Sequence, residues 1–246
     1  MRSVIIDSLS VLSPRPSKLR FYLTLRKHLK SKQNNISADI ASNNFYNMSF
    51  FDTELYIGID IDRNSLKEGV DIASKKTNTP DSVAIQSDLS QNIPLKSHTV
   101  DNLVCSHTLS HLPEEEWDRV VRELIRVTDV GGNLALNYPS NKNKQDSIIA
   151  LLTDSFVEVE VLLYRNKLSV VYENLASALV KKQFTHPVLN YAKPIKSLIS
   201  AILYVLSVVF LPMEYLSNSN NKMCAIFCYA KKGARRRQDS NLGPPR

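Results

Sequence analysis

Three carboxylates and two histidines in the first half of this chain have the spacing from which chemistry can be read. Asp39, Asp60 and Asp88 each stand at or just after the end of an apolar, strand-like run, and Ser106-His107 closes a fourth such run. In an open α/β sheet the ligand lies outside the carboxyl ends of the strands, so these residues converge on one crevice. An acid ending the second strand is placed to accept hydrogen bonds from both hydroxyls of a ribose. One after the third strand can accept from an adenine amino group. Three carboxylates along one crevice suit an adenosine ligand that carries an ammonium group, and they repel a pyrophosphate. His107 and His111 follow the fourth strand and offer a general base, with core packing as the alternative role of His111. The five histidines of the chain show no metal-ligand spacing, so no metal is expected.

The elements that must hold these residues alternate. Strand-like runs fall at 36–41, 54–60, 82–86, 100–106 and 133–139, and helical patterns at 64–76, 113–129 and 145–156 fall between several of them. In the second helix Trp117, Val120, Val121, Leu124 and Val127 form one stripe, with acids at the start where the helix dipole favours them. This rhythm predicts an α/β, doubly wound, Rossmann-like fold: a seven-stranded, mostly parallel sheet with helices on both faces. Two further strands are expected at 157–165 and 221–232, separated by an apolar helical insertion at about 172–220 before the last strand.

At this point the sequence resembles the class I S-adenosylmethionine-dependent methyltransferases, of the methyltransferase type 11 kind. "ADIASNNFYNMSFF…YIGIDID" is similar to the first two motifs of that superfamily. "SDLSQNIPLKSHTVDNLVCSHTLSHLPEEEWDRVVRELIRVTDVGGNLALNYP" is similar to its third motif through fifth strand. The resemblance covers about 36–165 and the strand near 222–232. It implies S-adenosylmethionine as cofactor and methyl transfer to a small-molecule or lipid-linked acceptor. Residue by residue, it puts Asp39 under the methionine amino group and the backbone of Ala41 to Asn43 near the carboxylate. Asp60 would hold the ribose, Ile61 would pack on the adenine, and Asp88, with Leu89 beside it, would bind the adenine amino group. Ser106 would lie near the methionine end, and His107 or His111 would serve as base.

One departure stands out. The superfamily pattern has glycines in the first turn, and here the turn reads Ala41-Ser42-Asn43. Glycine permits φ > 0 and close backbone approach. Asn43 is the next-best residue for the left-handed region, while Ala41 adds a methyl group against the ligand. The expectation is an impaired rather than abolished site. Its alternative is a catalytically inactive binding or scaffold protein.

Composition bounds the remainder. The 246 residues are long enough for one sizeable core; 43% are hydrophobic and 22% charged. The net charge of +7 belongs to the ends: residues 1–38 hold eight basic side chains against one acidic, residues 231–246 six against one, and 39–230 carries −5. A nucleic-acid groove needs its positive charge on the folded core, so that partner is not expected. Cys105, Cys224 and Cys228 form no disulfide framework; they read as buried apolar fillers of a reduced, cytoplasmic protein.

Three segments flank or interrupt the expected 36–232 domain. A basic helical extension, 1–35, includes 17–32 with Phe21, Leu25 and Leu29 at four-residue spacing. It reads either as a helix packed on the domain or as one lying on anionic lipid. The uncharged run 197–213 reads as a lid or core helix, with peripheral membrane contact or a span as alternatives. The tail 233–246 turns abruptly to Arg, Gly and Pro. "QDSNL" is what codons antisense to a tRNA T-loop spell, so the tail reads as read-through of such a gene or as a plain disordered basic tail.

Overall fold

The structure is a computed structural model that describes residues 16–29, 34–75, 79–140, 142–165, 170–174, 202, 205–209, 211–214 and 223–232. The tail 233–246, residues 1–15 and most of the 172–220 insertion lie outside the described residues. The strands are β1 (Asn34–Ile40), β2 (Thr53–Asp60), β3 (Asp81–Gln86), β4 (Val100–Ser106), β5 (Thr128–Pro139), β6 (Phe156–Tyr164) and β7 (Met223–Lys231). They form one sheet in the order β3-β2-β1-β4-β5-β7-β6, with β7 antiparallel to both neighbours and the remaining pairs parallel. The doubly wound fold is therefore present, and its switch point lies between β1 and β4. Ile40 is level with Ile59 on one side and Cys105 on the other, so the residues just beyond these strands emerge along one edge.

The strands run largely where alternation and apolar runs place them; β5 is the exception. It begins at Thr128, five residues before the expected start, because "VGG" is an irregularity inside the strand rather than a loop before it. Gly131 takes φ 79°, and a Cβ on Gly132 would come within 2.9 Å of the Asp101 carbonyl oxygen.

Helices α1 (Pro16–Leu29), α2 (Arg63–Ser74), α3 (Trp117–Val127) and α4 (Lys142–Ser155) cover the two faces. On one face α3 buries Trp117, Val120, Val121, Leu124 and Val127, and α4 adds Ile148 and Leu152. Both pack on Ile40, Leu103, Leu136 and Ile226. Cys105, Cys224 and Cys228 are free and fully buried in that layer. Asp62 caps α2 by accepting from Asn64 N at 2.9 Å.

The opposite face is assembled differently from a regular β-α-β unit. The crossover from β1 to β2 is only residues 41–52 and holds a single 3-10 turn, Met48–Phe50, in place of an α-helix. The apolar cover comes from α1 and from Phe45, Met48, Phe50 and Phe51. Phe21 of α1 stacks on Tyr164 with centroids 5.9 Å apart, and His28 packs on Phe227 and Tyr229. Leu25 and Leu29 are wholly buried. Each fully buried side chain of this kind contributes about 1.5–3 kcal/mol. The helix is thus a layer of the core. The apolar stripe Phe21, Leu25 and Leu29 is occupied by the sheet, as the packed-helix reading of this segment expects.

The glycines missing from the first turn have a counterpart here. Phe45 lies between β2 and α2, and a Cβ on Gly58 would stand 2.1 Å from its Cε1 and one on Gly69 2.7 Å from its Cγ. Two of the six glycines in the chain therefore make room for one aromatic ring. Among the described residues no helix is long and apolar enough to cross a membrane.

Candidate active site

A cavity of about 610 Å³ opens at the carboxyl edge of the sheet, at the switch point. The loop after β1 contributes Ala41 and Asn43, and the end of β2 and the loop after it contribute Asp60 and Ile61. The loop after β3 adds Ser87, Asp88 and Leu89; the end of β4 and its loop add Ser106, His107, Thr108, His111 and Leu112. Every candidate residue named from the sequence lines this cavity except Asp39. Its described lining includes two carboxylates and no lysine or arginine.

Asp60 is held by the backbone. Its Oδ2 accepts from Asn43 N at 2.8 Å and its Oδ1 from Asp62 N at 2.9 Å. Each carboxylate oxygen has a second lone pair, so an oriented pair of acceptors remains. Ile61 beside it is 63% exposed and lines the cavity, so it offers apolar surface there. Asp88 accepts from Ser90 N at 2.8 Å, and that backbone bond is the main reason its carboxyl sits below the usual range, with Arg119 adding to it. Arg119 reaches from α3 to the carbonyls of Leu89, at 3.2 Å, and Gln91, which fixes this loop.

Asp39 is a correction. The alternation of β1 sends Ala38 and Ile40 to the α3 side and Asp39 to the other, where it is fully buried. Its carboxylate accepts from Tyr56 Oη at 3.0 Å and Asn47 Nδ2 at 3.1 Å. Burial raises its pKa to about 7, although these two donors pull the other way. It supports the turn from behind and does not reach the cavity.

The turn carries three left-handed residues in alternation: Ala41 at φ 59°, Asn43 at 49° and Phe45 at 62°. For a residue with a Cβ this costs about 1–2 kcal/mol, and least for Asn. The effect of Ala41 is thus conformational as well as steric. The amides of the turn are spent internally. Ser42 N donates to Ile59 O, Asn43 N to Asp60, Asn44 N to the Asn43 side chain at 2.7 Å, and Phe45 N to Ser42 O. The amides of 42 and 43 thus have partners within the protein, in the turn that the resemblance would bring near a ligand carboxylate.

Residues 39–136 match a family model described as a methyltransferase domain. The match spans less than half of the chain's 246 residues. The surrounding fold is that of the class I methyltransferases. The chain is similar to phosphoethanolamine N-methyltransferase 2 from Haemonchus contortus, solved with S-adenosyl-L-methionine (12% identity, 86% of this chain and 52% of that one, TM-score 0.54). It spans about half the length of that protein. It is also similar to the N-methyltransferase NodS from Bradyrhizobium japonicum (10% identity, 89% and 98%, TM-score 0.54). A third similar structure is the [4+2]-cyclase SpnF (13% identity, 87% and 81%, TM-score 0.54). At such identities the likeness is one of fold, and a cyclase among these structures shows that the fold alone does not name a reaction. No curated protein matches the chain in sequence.

The site also holds residues that sequence reasoning missed. Asn137, fully buried near the end of β5, accepts from His107 N at 2.5 Å and donates to Tyr164 Oη at 3.1 Å. It holds His107 at φ 62°. Thr108 lines the cavity and lies 3.4 Å from the Ile40 carbonyl. The signal available for Asn137 was a polar residue interrupting an apolar strand two residues before its end. Among the described residues no group of acids, histidines and cysteines could hold a metal ion.

Proposed function

We propose that this chain is an S-adenosylmethionine-dependent methyltransferase acting on a small-molecule or lipid-linked acceptor. The observation that carries the reading is Asp60, a carboxylate oriented by two backbone amides at the end of β2, facing a switch-point cavity. The residues present fit the adenosine part of the cofactor. Asp60 offers paired acceptors to the ribose hydroxyls, Ile61 and Leu89 offer apolar surface to the base, and Asp88 offers an acceptor to its amino group. A lining with acids and no lysine or arginine favours a cationic ligand. At the amino-acid end the fit is poorer, because the amides of 42 and 43 are engaged.

Bound there, the cofactor supplies a methyl group already activated as a sulfonium, so the protein's task is mainly positioning. Ser106 sits at the reacting end. His107 or His111 accepts the proton of an acceptor that carries one. Three free, buried thiols suit a reducing, cytoplasmic setting.

The engaged amides and left-handed Ala41 favour one second reading, a methyltransferase-like scaffold without turnover. Calorimetric titration with S-adenosylmethionine, beside Asp60→Ala, separates the two. Micromolar binding lost in the variant supports the enzyme; no binding at millimolar ligand sinks it.

A further inference from the structure

A second cavity, of about 380 Å³, lies beside the first and shares His107 and His111 with it, so the 107–111 loop is a common wall. Its far side brings together distant parts of the chain: Ser17 and Lys18 from the first turn of α1, Tyr164 and Arg165 from the end of β6, and Glu173. The charge is opposite to that of the first cavity. Two cations, Lys18 and Arg165, face one acid, and no acid occupies the first turn of α1, where the helix dipole adds positive potential.

The arrangement is built rather than incidental. The Glu173 side chain is 4% exposed, with Oε1 taking a hydrogen bond from Ser17 Oγ and Oε2 an ion pair from Arg165 Nε at 3.0 Å. This pins the guanidinium by one edge. Arg165 and His107 are both left-handed, at φ 65° and 62°, and both line this cavity. Strained non-glycine residues of this kind cluster at ligand clamps. Asn137 braces the two sides, bonding the His107 amide and the Tyr164 hydroxyl at once.

We propose that this second cavity is the methyl-acceptor site and that it takes a small acceptor bearing an oxyanion, carboxylate or phosphate, held by Arg165 and Lys18. The proposal rests on the cofactor reading of the first cavity. Held there, the acceptor's nitrogen or oxygen is presented across the His107–His111 wall. Its lone pair forms the new bond to the methyl carbon as the C–S bond breaks, with that electron pair left on sulfur. The acceptor's proton passes to an imidazole of the wall or to water. Cation in one cavity and anion in the other is a division that the two linings enforce electrostatically.

The test is titration of inorganic phosphate into the full chain, with and without saturating S-adenosylhomocysteine, followed by calorimetry. Phosphate is expected to bind in the millimolar range alongside the nucleoside, and at least tenfold more weakly in Lys18→Gln and in Arg165→Gln. Lys18→Gln leaves the Arg165–Glu173 pair intact and so guards against misfolding. Three results overturn the proposal: affinity unchanged in both variants, phosphate competing with S-adenosylhomocysteine, or ethylammonium binding in preference to phosphate. If S-adenosylhomocysteine fails to bind while phosphate binding still depends on Arg165, the cofactor reading fails and the acceptor role with it, and an anion site alone is left.

Discussion

Replacing Ala41 by glycine should make this protein more stable, against the usual sign for introducing glycine. Ala41 sits at φ 59°, where a Cβ costs about 1–2 kcal/mol. Glycine removes that cost and adds about 0.5–1 kcal/mol of unfolded-state entropy. Ala41 is half-buried at the rim of the cavity, so little packing is lost with its methyl group. The balance is a gain of about 0.5–1 kcal/mol, or about 1–4 °C in Tm for a chain of this size. Asn43→Gly is the internal control: it relieves a smaller strain and loses the 2.7 Å bond to Asn44 N, so it should be neutral or destabilising. Differential scanning calorimetry of the two variants beside wild type is sufficient. An Ala41→Gly variant no more stable than wild type would mean that the turn is not left-handed at 41, and the account of the altered glycine motif would fall.

Other consequences are as direct. Burial holds Asp39 at a pKa of about 7, so the native state keeps a proton that the unfolded chain releases near pH 4. Native binding of the extra proton makes stability fall as pH rises from about 4 to about 7 and level off above. Asp39→Asn should therefore gain on wild type across that window in urea melts, and a pH-independent difference would refute the assignment. His28, held down near 3 by burial, works in the opposite direction over the same range, which is why the comparison must be with wild type at each pH. Gly58→Ala forces a Cβ to 2.1 Å from Phe45 and should cost at least about 1–3 kcal/mol. Adding Phe45→Leu should recover part of this, and strict additivity of the two would show that the ring is elsewhere. With the 42 and 43 amides engaged, decarboxylated S-adenosylhomocysteine, which keeps the ammonium group, should bind within about tenfold of S-adenosylhomocysteine, because few charge-assisted bonds of about 1.5–3 kcal/mol are lost with the carboxylate. A hundredfold loss would show that the turn does hold it.

How legible the site was in the sequence differs by residue. Asp60, Ile61, Asp88 and Ser106 could be placed because parallel strands deliver their carboxyl ends to one edge, and runs such as 100–106 mark those ends clearly. Asp39 could not be placed by the same rule. It lies inside the strand, where alternation rather than strand end decides direction, and Tyr56 and Asn47 claim it from other segments. The α1 layer was ambiguous for a physical reason: a basic helix with one apolar stripe suits a sheet face and a lipid surface equally. The left-handed series 41, 43, 45 was readable only at Asn43, since nothing local marks Ala or Phe for that region. The second cavity was invisible, because residues 17, 107, 165 and 173 meet only through the fold.

The central claim is that the switch-point cavity still holds the cofactor without its glycines. A crystal structure with S-adenosylhomocysteine tests it most directly. The account predicts the ribose hydroxyls on Asp60, the base between Ile61 and Leu89 with its amino group toward Asp88, and the amino-acid end making no bond to the amides of 42 or 43. Saturated crystals with an empty cavity, or with the nucleoside bound elsewhere, would contradict it.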